Sequence, residues 1–353
     1  MFNIDSILRN NIKELVPYSS ARDEFKGEAS VFLDANENSY GSPLNHSYNR
    51  YPDPLQWKVK ERLSEIKGVP AQNIFLGNGS DEAIDILFRA FCNPGIDNVI
   101  TLPPTYGMYE VSANINDVEV RKIMLRPDYQ LNMEGITEAI DDHTKIIFIC
   151  SPNNPTGNSI DRQDIETILA NFNGLVVIDE AYINYSRQKT FIQELTEYSN
   201  LVILQTLSKA WGLAGLRIGM AFASEEIIEV FNKVKPPYNI NEASQQLALE
   251  ALQNVDQINN WIKETVEERG KLIAELVQLP FVIKIYPSDA NFILVKTTNA
   301  RGIYNHLVDQ GIIVRDRSKV ELCEGSLRIT IGTPKENKIL LNALKNFQES
   351  DKI

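Results

Sequence analysis

The stretch LVVIDEAY, Leu175 to Tyr182, decides the reading of the fold. Its four apolar residues, Leu175 to Ile178, lack the alternation of a half-exposed strand, so the run fits a short strand covered on both faces. An acid, Asp179, closes it. KIIFIC, Lys145 to Cys150, has the same form, and from about Asn73 to Ala223 the runs NVITL, VEVRKIML, LVILQT and RIGMAFA alternate with amphipathic stretches. That succession predicts an α/β domain whose mainly parallel sheet lies between helices. In such sheets ligands gather where the strands end, so the residues just after each run are the ones to inspect.

Further along, Leu247, Ala251, Ile258, Ile262 and Val266 recur at roughly helical spacing between Glu242 and Leu279, which predicts a long connecting helix. After Pro280, FVIKIYP, ANFILVK, GIIVRD and SLRITIG alternate with helical segments and read as a smaller α+β unit. The first ~40 residues are too short to fold alone and are expected to pack on that unit. The expected division is a large domain over 44–240 and a discontinuous small domain formed by 1–43 and 241–353.

Charge and composition exclude several classes. The net charge is −12 with no strongly basic segment, which argues against a nucleic-acid partner, because phosphate backbones are bound by positive stripes. No apolar run approaches the ~18 residues of a membrane span. The start, MFNIDSILRN, carries Asp5 and Arg9 where a secretory signal has an unbroken apolar core. Cys92, Cys150 and Cys323 are odd in number and widely spaced, giving neither a disulfide framework nor a zinc site. A cytoplasmic protein without a metal centre is expected. His46, His143 and His306 fall in no ligand-spaced pattern, so proton transfer is expected to use another residue.

Four motifs can carry chemistry. In GNGSDEAIDILFRAF, Gly77 to Phe91, Ser80 can cap a helix whose stripe is Ala83, Ile84, Leu87, Phe88 and Phe91. The free amides and positive end of such a helix can hold a phosphate, although Asp81 and Glu82 also serve simply to stabilise a helix start. SPNNPTGN, Ser151 to Asn158, places Asn153 and Asn154 after KIIFIC, where an amide can meet a ligand oxygen or the prolines can merely make a turn. Asp179 is either a structural cap or a fixed charge that keeps a heterocyclic nitrogen protonated. TLSKAWGLAGLRIG, Thr206 to Gly219, sets Lys209 beside Ser208 with Arg217 downstream. A lone lysine is usually a solvated side chain. A nucleophilic one needs burial and nearby positive charge to be partly neutral, and Arg217 offers both charge and a planar fork for phosphate. Together the motifs ask for a phosphate, a basic ring nitrogen, a ring oxygen and an aldehyde, which describes pyridoxal 5′-phosphate (PLP).

The ordered motifs resemble the class I/II, fold-type I aminotransferases and, within them, the histidinol-phosphate aminotransferases. The likeness runs nearly end to end, through PYSSAR (Pro17 to Arg22), LDANEN (Leu33 to Asn38), RYPDP (Arg50 to Pro54), GNGSDE, PTYGMY (Pro104 to Tyr109), SPNNPTG, VVIDEAY, the Lys209 motif, ANFILV, IIVRDRS and LRITIG. The resemblance implies that Lys209 anchors PLP and carries a proton, that Asp179 pairs with the pyridine nitrogen, that Asn154 and Tyr182 contact the phenolic oxygen, and that Tyr106 stacks on the ring. It places the phosphate among Gly79, Ser80, Asp81, Ser208 and Arg217, with Thr206 as a further hydroxyl. It implies a homodimer in which Tyr51 reaches the neighbouring subunit's phosphate.

For the substrates, the resemblance assigns Arg328 to the glutamate carboxylate and Arg315 to the histidinol phosphate group, with Tyr18, Arg22 and Asn36 as further substrate contacts. NENSYGSP, Asn36 to Pro43, departs from the family, which more often has proline just after the acidic and asparagine pair. The implied reaction is a ping-pong transamination between L-histidinol phosphate and 2-oxoglutarate. An aromatic transaminase or a threonine-phosphate decarboxylase would use the same scaffold. A non-catalytic PLP-binding regulator would need a DNA-binding module for which the start of the chain shows neither length nor basic character.

Overall fold

A computed structural model describes residues 2–18 and 30–348. Seven strands, β1 (Ile74–Asn78), β2 (Asn98–Thr101), β3 (Glu119–Lys122), β4 (Thr144–Cys150), β5 (Leu175–Asp179), β6 (Leu201–Thr206) and β7 (Ile218–Phe222), form one sheet in the order β1-β7-β6-β5-β4-β2-β3. Neighbours from β6 through β3 are parallel, and β7 runs antiparallel to both β6 and β1. The unbroken apolar runs have the meaning expected of them. Ile147 and Ile149 of β4, Val176 and Ile178 of β5, and Ile203 of β6 enter one buried cluster. Ile146 and Phe148, Leu175 and Val177, and Val202 and Leu204 enter the cluster on the opposite face. Such strands need apolar residues at every position because successive side chains point to opposite faces and neither face meets water.

Four further strands, β8 (Val282–Ile285), β9 (Phe292–Thr297), β10 (Arg315–Asp316) and β11 (Ser326–Thr330), make an antiparallel sheet in the order β10-β11-β9-β8. Ile293, Val295, Leu327 and Ile329 bury one of its faces against Leu272, Ile303, Leu307 and Leu340 from the surrounding helices. The last of these helices, Pro334–Lys345, starts with a reciprocal cap in which the Glu336 carboxylate accepts from the Thr333 N–H at 2.8 Å and the Thr333 hydroxyl accepts from the Glu336 N–H at 3.3 Å.

Three local expectations need correction. Residues 2–13 do not pack on the C-terminal unit. Ile7 and Ile12, from the short helices Ile4–Ile7 and Asn10–Lys13, join the cluster of Phe75, Phe88 and Phe231 on the large sheet, and the Arg9 N–H donates to the Ala90 carbonyl at 3.0 Å. Single turns of helix cannot persist alone and need a surface that buries their few apolar residues. The long connecting helix is two helices, Glu242–Ala251 and Val255–Leu276. Leu252 is fully buried at the break and its carbonyl accepts from the Arg62 guanidinium at 3.0 and 3.1 Å, which satisfies the open helix end. Ala248, Leu252 and Ile258 belong to the large core, so its apolar contacts continue well past residue 240. Ser80, finally, opens its helix as the first residue instead of capping it, and Gly79 holds the cap position at φ 74°. The expected apolar stripe of that helix is buried throughout.

The small sheet sits over the strand ends of the large one. Phe292 meets Tyr182 edge-on at 5.1 Å, the Asp289 N–H donates to the Gly157 carbonyl at 2.7 Å, and the Tyr129 hydroxyl donates to the Leu322 carbonyl at 2.8 Å. A cleft of about 650 Å³ remains between them. Among the described residues, no helix is long and apolar enough to cross a membrane and no group of three or more His, Cys, Asp or Glu side chains is placed to hold a metal.

Candidate active site

The parallel register of β4, β5 and β6 brings their carboxyl ends level, with Cys150 beside Asp179 and Asp179 beside Leu204. The loops that follow carry Asn154, Tyr182 and Lys209 to one cleft, which Arg217, Arg315, Arg317 and Arg328 also line. Against these five cations, Lys209 and the four arginines, the cleft wall sets the carboxylates of Asp81 and Asp179. A chain of net charge −12 thus concentrates positive charge at one concavity, which draws anions to it.

Asp179 is the deepest of these groups and is 3% exposed. The Tyr109 hydroxyl donates to its Oδ2 at 2.7 Å and the Ala181 N–H to its Oδ1 at 3.0 Å. Burial raises its carboxyl above the ordinary value, and these two hydrogen bonds oppose the rise. The arrangement holds an acceptor to whose charge no cation is bonded among the described residues, which suits a protonated ring nitrogen. Tyr109 is itself fully buried and stacks on Phe148 at 4.7 Å. In the sequence it reads as one more core aromatic of a helix, and only its hydroxyl's aim at Asp179 distinguishes it.

Lys209 reaches the open part of the cleft with its Nζ 5.6 Å from the Tyr182 ring centre. Partial burial depresses its ammonium, and the positive charges of Arg328 and Arg217 add to the depression while Asp179 opposes it. This is the direction a nucleophilic amine requires.

At the other end of the cleft, the backbone of Gly79 to Asp81 runs against Arg217 and Gly219. The Gly79 N–H donates to the Arg217 carbonyl at 2.7 Å. Arg217 itself adopts left-handed backbone angles, φ 56° and ψ 43°, a conformation that costs any residue with a Cβ free energy and marks a constrained position. A Cβ on Gly79 would lie 2.7 Å from the Arg217 guanidinium, and one on Gly219 would collide with the Ser80 backbone nitrogen. The first-turn amides of Ser80 and Asp81 have no partners within their helix. A cradle of amides, a hydroxyl from Ser208 and a guanidinium fits a phosphate. Tyr106 stands at its rim, donating to Asp81 Oδ1 at 3.1 Å.

Other expected residues have prior engagements or different places. The Thr206 hydroxyl accepts from the Ser208 N–H at 3.0 Å and donates to the Ile218 carbonyl at 3.3 Å, so it shapes the turn before Lys209. Asn153 is buried and its amide donates to the Pro104 carbonyl and to Thr156, which leaves Asn154 as the asparagine of the cleft. The Asn154 Oδ1 accepts from Arg328. Tyr51 stacks on Tyr238 at 4.5 Å and, with Asn36, lines a separate concavity of about 550 Å³ in the same chain. Tyr18 is 74% exposed, outside both concavities, and Arg22 lies outside the described residues. Arg317 is a further cation of the cleft that no motif in the sequence singles out. Its only advance signal is its spacing, two residues after Arg315 on one strand-like run.

The chain as a whole is similar to known proteins. The family model for aminotransferase class I and II matches residues 29–344, and the chain belongs to that family. A protein of Parabacteroides distasonis named histidinol-phosphate aminotransferase is 57% identical over 348 residues, covering 99% of this chain and 100% of the relative. The crystal structure of the histidinol-phosphate aminotransferase from Clostridium acetobutylicum superposes with a TM-score of 0.78 at 26% identity, over 84% of this chain and 90% of that one. The Sinorhizobium meliloti histidinol-phosphate aminotransferase, solved in complex with pyridoxal 5′-phosphate, shares the fold with a TM-score of 0.76 at 23% identity, covering 88% of each chain.

Proposed function

We propose that the cleft holds PLP and that the enzyme exchanges an amino group between L-histidinol phosphate and 2-oxoglutarate, giving imidazole acetol phosphate and L-glutamate, with histidine biosynthesis using the reverse direction. The observation that carries this reading is the placement of an amine, a buried carboxylate and a phosphate cradle on successive strand ends, facing a wall of arginines. The near-identical length and high identity of the P. distasonis relative support the substrate choice. PLP, when bound, supplies an aldehyde that condenses with amines and a ring that accepts the electrons left behind when a substrate Cα–H is broken.

The chain's own residues would act as follows. Lys209 Nζ takes up and returns the proton at the substrate α-carbon, a role that its depressed basicity permits. Asp179 accepts a hydrogen bond from the ring nitrogen and keeps it charged. Asn154, whose Nδ2 stays available while its Oδ1 is bonded, donates with Tyr182 to the ring oxygen. The Tyr106 ring covers one face. Gly79, Ser80, Asp81, Ser208 and Arg217 surround the phosphate, beside the turn shaped by Thr206. Arg328 takes the glutamate carboxylate and Arg315 the substrate phosphate, while Tyr18 and Asn36, which lie outside this cleft, and Arg22 would serve as further substrate contacts in the partner subunit's cleft.

The same reading makes the enzyme a cytoplasmic homodimer in which Tyr51 completes the partner's site. Exposed Leu33, Tyr40, Leu44, Tyr51 and Trp57 supply apolar surface for that association. Lys209→Ala tests the assignment. It removes the amine while the fold persists, so the absorbance of lysine-bound PLP is lost and turnover falls by about 10⁴-fold or more, the scale of losing a nucleophile that also moves the proton. Turnover with an intact cofactor spectrum would refute the placement of the site.

A further inference from the structure

Arg315, Arg317 and Arg328 meet at the cleft, and among the described residues none has a carboxylate partner. The register of the small sheet sets Arg315 of β10 directly beside Arg328 of β11. Pairing continues for one more residue, where the Arg317 N–H donates to the Ser326 carbonyl at 2.9 Å. Side chains alternate along such a strand, so Arg315 and Arg317 share the face toward the cleft while Asp316 points away. There Asp316 pairs with Arg301 at 3.3 Å and accepts from the Ser318 N–H at 2.9 Å. The one acid on the strand is thereby spent outside the site.

Arg317 is half-buried where Arg315 is exposed, and its Nε is buried with no acceptor. Burial and the charge of Arg315 both weaken its hold on its proton. Arg328 is depressed by burial and by the charges of Arg317 and Arg315. Three guanidiniums that repel one another without a counter-charge are relieved by an incoming anion, and more by a doubly charged one. A phosphate monoester carries about −1.5 to −2 near neutrality, against −1 for a single carboxylate. The two substrates of the proposed reaction differ in this respect. Glutamate presents two single charges and histidinol phosphate presents one concentrated double charge.

We propose that Arg317 is a specificity-determining residue that meets the second negative charge of the phosphorylated substrate, beside the charge met by Arg315. This rests on the functional reading above. The test uses the PLP-loaded enzyme and compares the two half-reactions in Arg317→Met, which removes the charge but keeps the stem, and Arg317→Lys, which keeps the charge but loses the fork. Arg317→Met raises KM for histidinol phosphate by about tenfold or more, the loss of a hydrogen bond to a charged group, with an effect on glutamate several times smaller and kcat changed less than KM. Inhibition by inorganic phosphate, competing with glutamate, weakens in parallel, and Arg317→Lys recovers part of both losses.

An equal rise of KM for the two substrates, or no rise for histidinol phosphate with unaltered phosphate inhibition, overturns the role of Arg317 while leaving the functional reading intact. A wild-type enzyme that does not process histidinol phosphate overturns both.

Discussion

The ends of β4, β5 and β6 and the wall made by β10 and β11 face each other across one cleft and are built on opposite principles. On the strand ends, the polar groups are tied down from behind. Tyr109 and the Ala181 amide hold Asp179, and the adjacent Glu180 carboxylate accepts from the Phe191 N–H at 2.7 Å and from Gln205 at 2.9 Å. On the arginine wall, among the described residues only Arg328 has a side-chain acceptor in the cleft, the Oδ1 of Asn154. A site pre-bonded on its protein side suits a group that stays bound through every turnover. A set of cations without counter-charges suits anions that come and go, because an exchangeable ligand then completes the electrostatics.

The largest effect that would break this contrast belongs to the strand ends. Asp179→Asn replaces a fixed charge by a neutral amide at the ring nitrogen, and kcat falls by about 10² to 10³-fold, the scale of losing one aligned electrostatic group. A near wild-type kcat would mean that the carboxylate is structural. The same variant has a second signature in the cofactor-free protein. The Asp179 carboxyl is raised in the fold, so it binds a proton more tightly folded than unfolded. That stabilising contribution is full below the unfolded carboxylate value of about 4 and is lost as pH rises through the raised folded value. Melting temperatures followed from acid to neutral pH then show Asp179→Asn gaining on the wild type as pH rises. Curves that stay parallel would contradict the shift.

A smaller effect sharpens the other side. Arg328→Met removes the cation bonded to Asn154, and KM for glutamate rises by about 10 to 100-fold as a charge-assisted hydrogen bond is lost, with cofactor affinity changed far less. Steady-state kinetics beside a PLP titration separates the two. If cofactor affinity falls as much as substrate affinity, the division between the two sides of the cleft is wrong.

What could be seen in the sequence followed the strength of the local signal. Strands buried on both faces announce themselves because every position must be apolar, and that placed β4, β5 and β6 and hence Asn154, Asp179 and Lys209. The helices Ile4–Ile7 and Asn10–Lys13 are too short to show a period, so nothing local reveals which surface they bury. The break near Leu252 is hidden because the apolar spacing continues across it, and the carbonyl left open there is satisfied by Arg62, distant in sequence. Tyr109 and Arg317 escaped for a common reason. An aromatic on a helix and an arginine on an edge strand have ordinary structural readings, and only the third dimension shows a hydroxyl aimed at Asp179 or a guanidinium without an acid. Tyr51 and Asn36 lie in a second concavity, and their proposed roles depend on a partner subunit.

The most direct measurement is a single-turnover titration of the PLP-loaded enzyme with L-histidinol phosphate, L-glutamate, phenylalanine and aspartate in turn, following the cofactor's absorbance and collecting the products. Histidinol phosphate and glutamate are each expected to convert the bound cofactor to its aminated form, yielding imidazole acetol phosphate and 2-oxoglutarate with their carbon skeletons intact. Conversion by phenylalanine but not by histidinol phosphate, or release of carbon dioxide from an amino-acid substrate, would contradict the proposed function.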